Sequence, residues 1–339
     1  MRLQPNRKLE TRNLKPETLR LGTRASPLAL VQSRFVARML ETAHPGLSVE
    51  LVEITTTGDK VRDRPLQEFG GRGVFVKELE NALLDRRIDL AVHSLKDLPS
   101  ATPRGLAIGA IVGREDTRDV AAIRGGKSLE ELPPGSVIGT GSPRRRAQLK
   151  ACYPNLEFAE IRGNVETRLR KVQEGQYAGT ILARAGLKRL GLISLSSAAS
   201  SRKRTGNGEV RMHTLPHSLM LPAPGQGALA IECRARDRRV RSLLQTIHNE
   251  RVSACVAAER AALQTLGGGC HLPLGALGET RGTTLRLRAV LGLPDGTASV
   301  RAEGSMPVAE ARELGRQVGR TILAQGGRKL LGKLMKSRT

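Results

Sequence analysis

The chain has 339 residues, of which 39% are hydrophobic, and this length predicts two or three domains with separate hydrophobic cores. Its 56 Lys and Arg against 32 Asp and Glu give a net charge of +24, while aromatic residues make up only 2%. No apolar run approaches the length of a membrane span, and four scattered Cys without a CxxC pair exclude a Cys-based metal site and a dense disulfide framework.

The first part of the chain predicts strands that alternate with helices. Residues 1–18 are basic and lack the apolar stretch of a secretory signal, so we expect a basic N-terminal extension and a cytoplasmic location. A strand at 19–22 leads to Ser26 and Pro27, which are a favourable N-cap and a favourable first residue of a helix. The next predicted elements are strands at 49–54, 89–92 and 106–112 and a helix at 74–85.

A second set of strands and helices begins near residue 137. Strands are predicted at 137–139, 158–161 and 180–183, with helices after the first two. The turn GTGSP at 139–143 resembles GTRASP at 22–27, and both turns join a strand to a helix. We therefore predict two similar α/β lobes with a ligand cleft between them.

The remaining chain changes in character. The polar, basic stretch around 196–208 is predicted to be a disordered insertion, and the Pro- and Gly-rich stretch at 221–227 a hinge. From residue 250 onwards, a helix, two strands around the hairpin signal Pro294-Asp295-Gly296 and a final helix near Val308 predict a smaller α+β domain.

Several arginines lie where a helix is predicted to begin. Arg144 and Arg145 follow Pro143, Arg24 precedes Pro27, and Arg162 lies between a strand and a helix. A cation at a helix N-terminus is unfavourable unless an anion binds there as well. Such arginines can instead turn outward into solvent, but their recurrence at three turns favours a cleft for an anionic ligand. The scarcity of aromatic residues disfavours single-stranded nucleic acid as that ligand.

Two further residues are candidates for chemistry. Asp97 follows Lys96 at a strand exit, where it is either one half of a surface ion pair or a carboxylate that stabilises a developing cation. Cys270 follows three consecutive glycines, and a thiol on such an open loop suits a covalent attachment point. The alternative for Cys270 is a buried cysteine that packs like a small hydrophobic residue.

From residue 19 to its end, the chain resembles the porphobilinogen deaminase family, whose members are also called hydroxymethylbilane synthases. The resemblance depends on eight motifs in order, which are GTRASPLAL (22–30), GGRGVFVKELE (70–80), AVHSLKDLP (91–99), GTGSPRRRAQL (139–149), RGNVETRL (162–169), LARAGLKRLG (182–191), LPAPGQGALAIECR (221–234) and the segment around Cys270.

The resemblance implies an α/β fold with two periplasmic-binding-protein-like lobes and a smaller α+β C-terminal domain. Domain 1 would comprise 19–113 and 225–245, domain 2 118–220, and domain 3 250–339. The implied activity is a transferase of tetrapyrrole biosynthesis, which condenses four porphobilinogen molecules head to tail into hydroxymethylbilane and releases ammonia. The implied protein is a monomer that uses a dipyrromethane cofactor, with no metal, no membrane partner and no specific nucleic acid.

The resemblance also implies roles for individual residues. Asp97 would be the catalytic carboxylate, which hydrogen-bonds pyrrole N–H groups and stabilises the azafulvene cation left when ammonia departs. Cys270 would hold the cofactor through a thioether. The other cofactor contacts would be Ser94, Lys96, Asp97, Thr140, Ser142, Arg144 and Arg145. The substrate contacts would be Arg24, Ser26, Phe75, Arg162, Arg168 and Arg189.

Two other classes of protein remain open from the residues alone. A two-lobed binding protein for a carboxylate or phosphate ligand fits the strand-to-helix turns, but it requires neither Asp97 nor an open cysteine. A nucleic-acid-binding protein fits the net charge, but it does not account for arginines at helix starts.

Overall fold

The structure is a computed structural model that describes residues 17–56, 76–125, 127–193, 200–205, 208–269 and 272–336. Within these ranges the strands form three sheets. The strands are β1 (Glu17–Thr23), β2 (Leu47–Glu53), β3 (Leu90–Ser94), β4 (Leu106–Arg114), β5 (Asp119–Arg124), β6 (Val137–Gly139), β7 (Glu157–Ala159), β8 (Gly179–Ala183), β9 (Ser200–Thr205), β10 (Gly208–Thr214), β11 (Ala228–Arg234), β12 (Leu274–Arg281), β13 (Thr284–Gly292) and β14 (Ser299–Pro307).

Helices cover the faces of these sheets. They are α1 (Pro27–Ala43), α2 (Lys77–Leu84), α3 (Pro143–Cys152), α4 (Val165–Gln173), α5 (Arg184–Arg189), α6 (Arg238–Gln245), α7 (Glu250–Thr265), α8 (Ala311–Ile322) and α9 (Arg328–Lys336). Leu95–Asp97 and Val308–Glu310 are short turns of 3₁₀ helix, and a kink at Gln325 and Gly326 separates α8 from α9. Among the helices described, none is both long and apolar enough to cross a membrane.

The first sheet has the strand order β2-β1-β3-β11-β4. Strands β1, β2 and β3 are parallel, whereas β11 is antiparallel to both of its neighbours. The alternation of buried residues such as Leu19 and Leu21 on β1 directs one face towards α1, where Leu40 completes the core. We call this sheet and its helices lobe 1.

The second sheet repeats this arrangement. Its order is β7-β6-β8-β5-β10-β9, with β6, β7 and β8 parallel and β5 antiparallel to β8 and β10. Strand β5 therefore occupies in lobe 2 the place that β11 occupies in lobe 1. Ser26 and Ser142 both cap a helix whose first residue is proline. This agreement confirms the prediction of two similar α/β lobes, to which a smaller C-terminal domain is attached.

The chain crosses between the lobes twice. Residues 115–118 connect β4 of lobe 1 to β5 of lobe 2, and residues 215–227 connect β10 of lobe 2 to β11 of lobe 1. The two crossover segments lie side by side, because Glu115 N donates to Gly227 O at 3.2 Å. A Cβ atom at Gly227 would lie 2.3 Å from Glu115 O, so this close approach requires glycine.

The prediction of a disordered insertion near 196–208 is wrong over part of its length. Residues 200–205 form β9, which pairs antiparallel with β10 at the edge of the second sheet. Strand β10 is anchored by Val210 and Met212, whose side chains are buried in lobe 2, and it offers β9 a row of backbone partners. A sequence of low complexity and high charge does not predict such an edge strand, because backbone hydrogen bonds to β10 hold it in place rather than buried apolar side chains.

The C-terminal domain is a three-stranded antiparallel sheet, β12-β13-β14, covered by α7 and α8. The hairpin predicted at Pro294-Asp295-Gly296 joins β13 to β14, and Gly296 has the positive φ of 75° that this turn requires. Helices α7 and α8 approach closely at Gly315, where a Cβ atom would lie 2.2 Å from Ala258 O.

Candidate active site

Asp97 lies at the carboxyl end of β3, on the 3₁₀ turn that follows it. The turn is held in place by Leu95, which is buried and packs under Gly225 of the second crossover. A Cβ atom at Gly225 would lie 2.9 Å from Leu95 Cγ. The packing of Leu95 therefore fixes the turn beside the junction of the two lobes, and the side chain of Asp97 on the same turn is exposed.

Ser94 and Lys96 flank this turn in different ways. Ser94 Oγ accepts a hydrogen bond from Gln32 Nε2 of α1 at 3.0 Å. Lys96 Nζ donates to Gln226 Oε1 at 3.5 Å. Burial lowers the pKa of Lys96 to about 8, with Arg145 and Arg144 acting in the same direction and Asp97 and Asp119 opposing them. A desolvated ammonium of this kind gains when a carboxylate binds to it.

Arg144 and Arg145 already have a carboxylate partner inside lobe 2. Arg144 Nη1 lies 2.8 Å from Asp119 Oδ2, and Arg145 Nη2 lies 2.8 Å from Asp119 Oδ1. Burial alone would raise the pKa of Asp119, but the two guanidiniums hold it far below its usual range. The anion that we expected at this helix start is therefore supplied by the first residue of β5, and a cofactor contact for these two arginines stays a prediction.

Arg168, another predicted arginine of lobe 2, interacts electrostatically with Arg145 and Arg162. Burial lowers the pKa of Arg168 to about 10, with Arg145 and Arg162 adding to the effect and Asp97 opposing it. Asp97 of lobe 1 and Arg168 of lobe 2 therefore interact electrostatically. Arg162 is held by Glu160 Oε1, which lies 2.5 Å from its Nη2.

Arg189 reaches the crossover from the end of α5. Its Nη2 donates to Gly227 O at 2.6 Å, and burial lowers its pKa to about 10, with Glu115 opposing the change. One of the predicted substrate arginines therefore also braces the junction between the lobes.

The remaining predicted residues form the two strand-to-helix turns. Ser26 Oγ and Ser142 Oγ accept from Ala29 N and Arg145 N respectively, both at 3.4 Å. Thr140 Oγ1 accepts from Ser142 N at 3.2 Å, and Arg24 lies on the turn before α1. The serines and threonine thus cap and shape these turns. Phe75 and Cys270 lie outside the described residues.

Helix α7, which leads towards Cys270, is fixed beside Asp97. Arg260 Nη1 and Nη2 donate to Leu98 O at 3.2 Å and Pro99 O at 2.5 Å. Gln264 Nε2 donates to Ser100 O at 2.8 Å. The three acceptors directly follow Asp97, so two side chains on one face of α7 dock this helix along the segment that leaves the candidate catalytic residue.

The end of α7 forms a Schellman motif that turns the chain. Gly267 has a φ of +81° and donates to Gln264 O at 3.0 Å, while Gly268 N donates to Leu263 O at 2.9 Å. A Cβ atom at Gly268 would lie 2.4 Å from Leu263 O, so the turn requires glycine at positions 267 and 268. Beyond the gap, Leu272 N donates back to Gly269 O at 3.0 Å.

Three buried polar residues of this region were not predicted as functional. They are Asp119, Gln226 and Glu259, which are all fully buried. Gln226 lies within the motif LPAPGQGALAIECR, and Glu259 lies on the helix that leads to Cys270, so the sequence signal for both was their proximity to a recognised motif. Asp119 had none, because the short strand that it begins was not predicted.

These features define a two-lobed α/β protein whose cleft is lined by Lys and Arg side chains, with a carboxylate at one strand exit and a glycine-rich turn beside it. Comparison with known families gives a narrower result. The chain belongs to the porphobilinogen deaminase family, since the model "Porphobilinogen deaminase, dipyromethane cofactor binding domain" matches residues 19–242 and the model of the family's C-terminal domain matches residues 253–324.

A sequence relative agrees with this assignment. Over 318 residues the chain is 45% identical to the porphobilinogen deaminase of Acidithiobacillus ferrooxidans, a match that covers 93% of this chain and 98% of the relative. Among solved structures, the methionine binding protein MetQ is 14% identical with a TM-score of 0.42, covering 72% of this chain and 95% of that one. The BvgS periplasmic VFT2 domain of Bordetella pertussis is 14% identical with a TM-score of 0.40, covering 72% and 94%.

Proposed function

We propose that the cleft between the two lobes carries out the reaction of this family on the residues assigned above. That reaction is the head-to-tail condensation of four porphobilinogen molecules into hydroxymethylbilane with release of ammonia, on a dipyrromethane cofactor. The observation that carries the proposal is the meeting of Asp97 from lobe 1 with Lys96 and Arg168, two cations whose pKa values are lowered to about 8 and about 10.

The side chains of the cleft fit the cofactor. Each pyrrole carries an acetate and a propionate, so a dipyrromethane presents four carboxylates. Burial and like charges disfavour the charged forms of Lys96 and Arg168, and burial disfavours that of Arg189. Carboxylates bound there would form charge-assisted hydrogen bonds and offset this cost. When bound, the cofactor supplies the primer on which the chain of pyrroles grows.

We assign Asp97 the catalytic role. An ionised carboxylate only accepts hydrogen bonds, which suits it to hold pyrrole N–H groups. Positive charge develops on the substrate as ammonia leaves its aminomethyl carbon, and a fixed negative charge beside the ring stabilises that charge. Arg168, which interacts electrostatically with Asp97, is placed to hold a substrate carboxylate.

We assign Cys270 the attachment of the cofactor. Helix α7 is bonded to the residues that follow Asp97 and ends in a tight glycine turn, which supports delivery of the next residues of the chain to the cleft. Attachment forms a bond from the Cys270 sulfur to an aminomethyl carbon derived from porphobilinogen. The C–N bond of that carbon breaks, and ammonia leaves with the thiol proton as ammonium.

Intact mass tests the attachment. The purified chain should exceed its polypeptide mass by two linked pyrrole units, and Cys270→Ala prepared in the same way should show the bare mass. Cys255→Ala is the matched control, because Cys255 is a buried free thiol of the same domain and should leave the added mass unchanged. An added mass that persists in Cys270→Ala would refute the assignment.

Asp97→Asn tests the chemistry. The amide keeps the shape of the side chain but removes its charge, so kcat should fall about 10²- to 10³-fold while the cofactor mass is retained. Asp85→Asn is the control, since Asp85 is an exposed carboxylate at the end of α2 and its loss should leave kcat unchanged. Equal kcat values for Asp97→Asn and the unsubstituted chain would remove Asp97 from the mechanism.

We further propose that the chain acts as a monomer in the cytoplasm, with the domain boundaries given by the resemblance. The placement of β11 beside β3 and β4 supports a domain 1 that the chain re-enters after the second crossover. Cys152, Cys233 and Cys255 are free thiols, which is compatible with a reducing compartment.

A further inference from the structure

Gln226 lies at the centre of the junction between the lobes. It belongs to the second crossover and is fully buried. Its Nε2 donates to Thr117 O of the first crossover at 2.7 Å and to Asp119 Oδ1 of lobe 2 at 3.1 Å. Its Oε1 accepts from Lys96 Nζ of lobe 1 at 3.5 Å. One carboxamide therefore joins both crossovers and both lobes.

The orientation of this carboxamide follows from its partners. A backbone carbonyl and a carboxylate only accept hydrogen bonds, so the NH₂ group must face Thr117 and Asp119. The oxygen is then directed to the opposite side, where Lys96 is the donor. The negative charge of Asp119 thus fixes Gln226, and Gln226 in turn presents an acceptor to the ammonium.

Lys96 depends on this acceptor. Within the described part of the chain, Gln226 is the one hydrogen-bond partner of Lys96 Nζ. The charged groups that influence the ammonium are Asp97 on its own turn, Asp119 on β5, and Arg144 and Arg145 on α3. An ammonium has three donors, so one bond to Gln226 holds it in place and leaves two donors for an anionic ligand.

We propose that Gln226 is a positioning residue, which holds the Lys96 ammonium towards the cleft and couples its placement to the packing of the two crossover segments. The Lys96 ammonium is then held in position only when the two crossover segments are packed together at the junction between the lobes. This inference rests on the proposed function, in which Lys96 binds carboxylates of the cofactor.

The test measures the titration of Lys96 directly. The full-length chain carrying Cys270→Ala is labelled with trace acetic anhydride at a series of pH values, and acetylation of Lys96 is quantified by peptide mass spectrometry. Intact mass establishes that no cofactor is attached. The labelling midpoint is compared among the otherwise unsubstituted chain, Gln226→Met, Gln226→Glu and a control, Gln148→Met.

The two substitutions at Gln226 should shift the midpoint in opposite directions. Methionine removes the acceptor, so the charged form loses a hydrogen bond and the midpoint should fall by about half a pH unit to one unit. Glutamate places a negative charge against the ammonium, so the midpoint should rise. The other carboxylate oxygen replaces the NH₂ group and faces Thr117 O and Asp119 Oδ1, which only accept hydrogen bonds, so Gln226→Glu should also be less stable.

Gln148 is the matched control, because it is also a buried glutamine bound to the second crossover. Its Oε1 accepts from Leu221 N at 2.8 Å and its Nε2 donates to Leu221 O at 3.1 Å, and among the described residues it forms no hydrogen bond with Lys96. Gln148→Met should lower stability and leave the Lys96 midpoint unchanged.

A general loosening of the junction would move the midpoint in the same direction in both Gln226 variants, and that outcome would overturn the proposal. An unchanged midpoint in Gln226→Glu would also overturn it, even if Gln226→Met fails to fold. The readout is independent of catalysis, so failure of the proposed function would appear separately, as normal activity or added mass in the Cys270→Ala chain.

Discussion

Glu259 is expected to be among the most important single residues for the stability of this fold. Its carboxylate is fully buried, forms an ion pair with Arg114 and accepts three hydrogen bonds. Arg114 Nη1 lies 2.8 Å from Oε1 and Nη2 3.1 Å from Oε2, while Gly225 N and Gly278 N each donate at 2.7 Å. These partners belong to β4, the second crossover and β12, so one side chain fastens the C-terminal domain to the junction of the lobes.

Glu259→Ala would leave Arg114 Nη2, Gly225 N and Gly278 N without an acceptor, and Arg114 Nη1 would keep only the long bond to Gly278 O at 3.5 Å. The side chain of Arg114 is only 10% exposed, so its charge would remain largely buried. Breaking a buried ion pair on one side costs about 3–5 kcal/mol, which is a large part of the roughly 5–15 kcal/mol that stabilises a typical domain. Glu259→Ala combined with Arg114→Met should cost less than Glu259→Ala alone, because no unpaired charge is then buried.

Urea unfolding followed by circular dichroism measures this loss as a change in the free energy of unfolding. Glu303→Ala is the matched control in the same domain, since Glu303 pairs with Arg286 at 2.7 Å but their side chains are 57% and 52% exposed. An exposed pair contributes about 0.2–1 kcal/mol. A loss below about 1 kcal/mol for Glu259→Ala, or a double variant less stable than Glu259→Ala, would refute the reasoning.

Three further outcomes follow from the junction and the cleft. Burial alone would raise the pKa of Asp89, but hydrogen bonds from Arg20 and Arg234 lower it to about 2. The ionised carboxylate therefore contributes its full stabilisation above a pH of about 4, and this stabilisation should be lost as the pH falls towards 2. Acid titration of the free energy of unfolding should show this loss in the unsubstituted chain and not in Asp89→Asn. Gly227→Ala should lower the Tm and reduce activity, because a Cβ atom would lie 2.3 Å from the backbone of the first crossover; an unchanged Tm would contradict the close approach. Lys96→Met in the Cys270→Ala chain should raise the Tm, because it removes a desolvated ammonium. In the chain that keeps Cys270, the same substitution should raise KM or reduce the added mass. A lower Tm in the Cys270→Ala chain would contradict this reasoning, because it would show that the ammonium stabilises the fold without a ligand.

Much of the fold was predictable because its signals are local. Ser-Pro at a helix start, the hairpin signal before Gly296 and the strand-to-helix alternation depend on a few neighbouring residues. Strand β5 was missed because its apolar run is short and follows the charged stretch at 114–119. Its pairing with β8 and β10 brings together residues 56 or more positions apart, and no local pattern indicates such partners.

The same limit applies to the candidate site. The sequence predicted which residue types would surround an anion, and the structure brings Asp97, Lys96 and Arg168 together. The sequence did not indicate that Asp119 would accept from Arg144 and Arg145, because these residues meet only after lobe 2 has assembled. Only the assembled sheet shows that Asp119, the first residue of β5, lies beside Arg144 and Arg145 at the start of α3.

The cations of this molecule therefore divide into two groups by what compensates them. Arg144 and Arg145 share Asp119 inside lobe 2 and so contribute to the folded lobe itself. Lys96 and Arg168 interact with Asp97, but burial and like charges outweigh that interaction and lower both pKa values. Burial and repulsion between like charges therefore disfavour the charged forms of Lys96 and Arg168, and a bound polyanion would favour them. A ligand that binds only the folded state stabilises that state. Because a ligand with several carboxylates would relieve the repulsion among these cations, this relief would add to the free energy of binding.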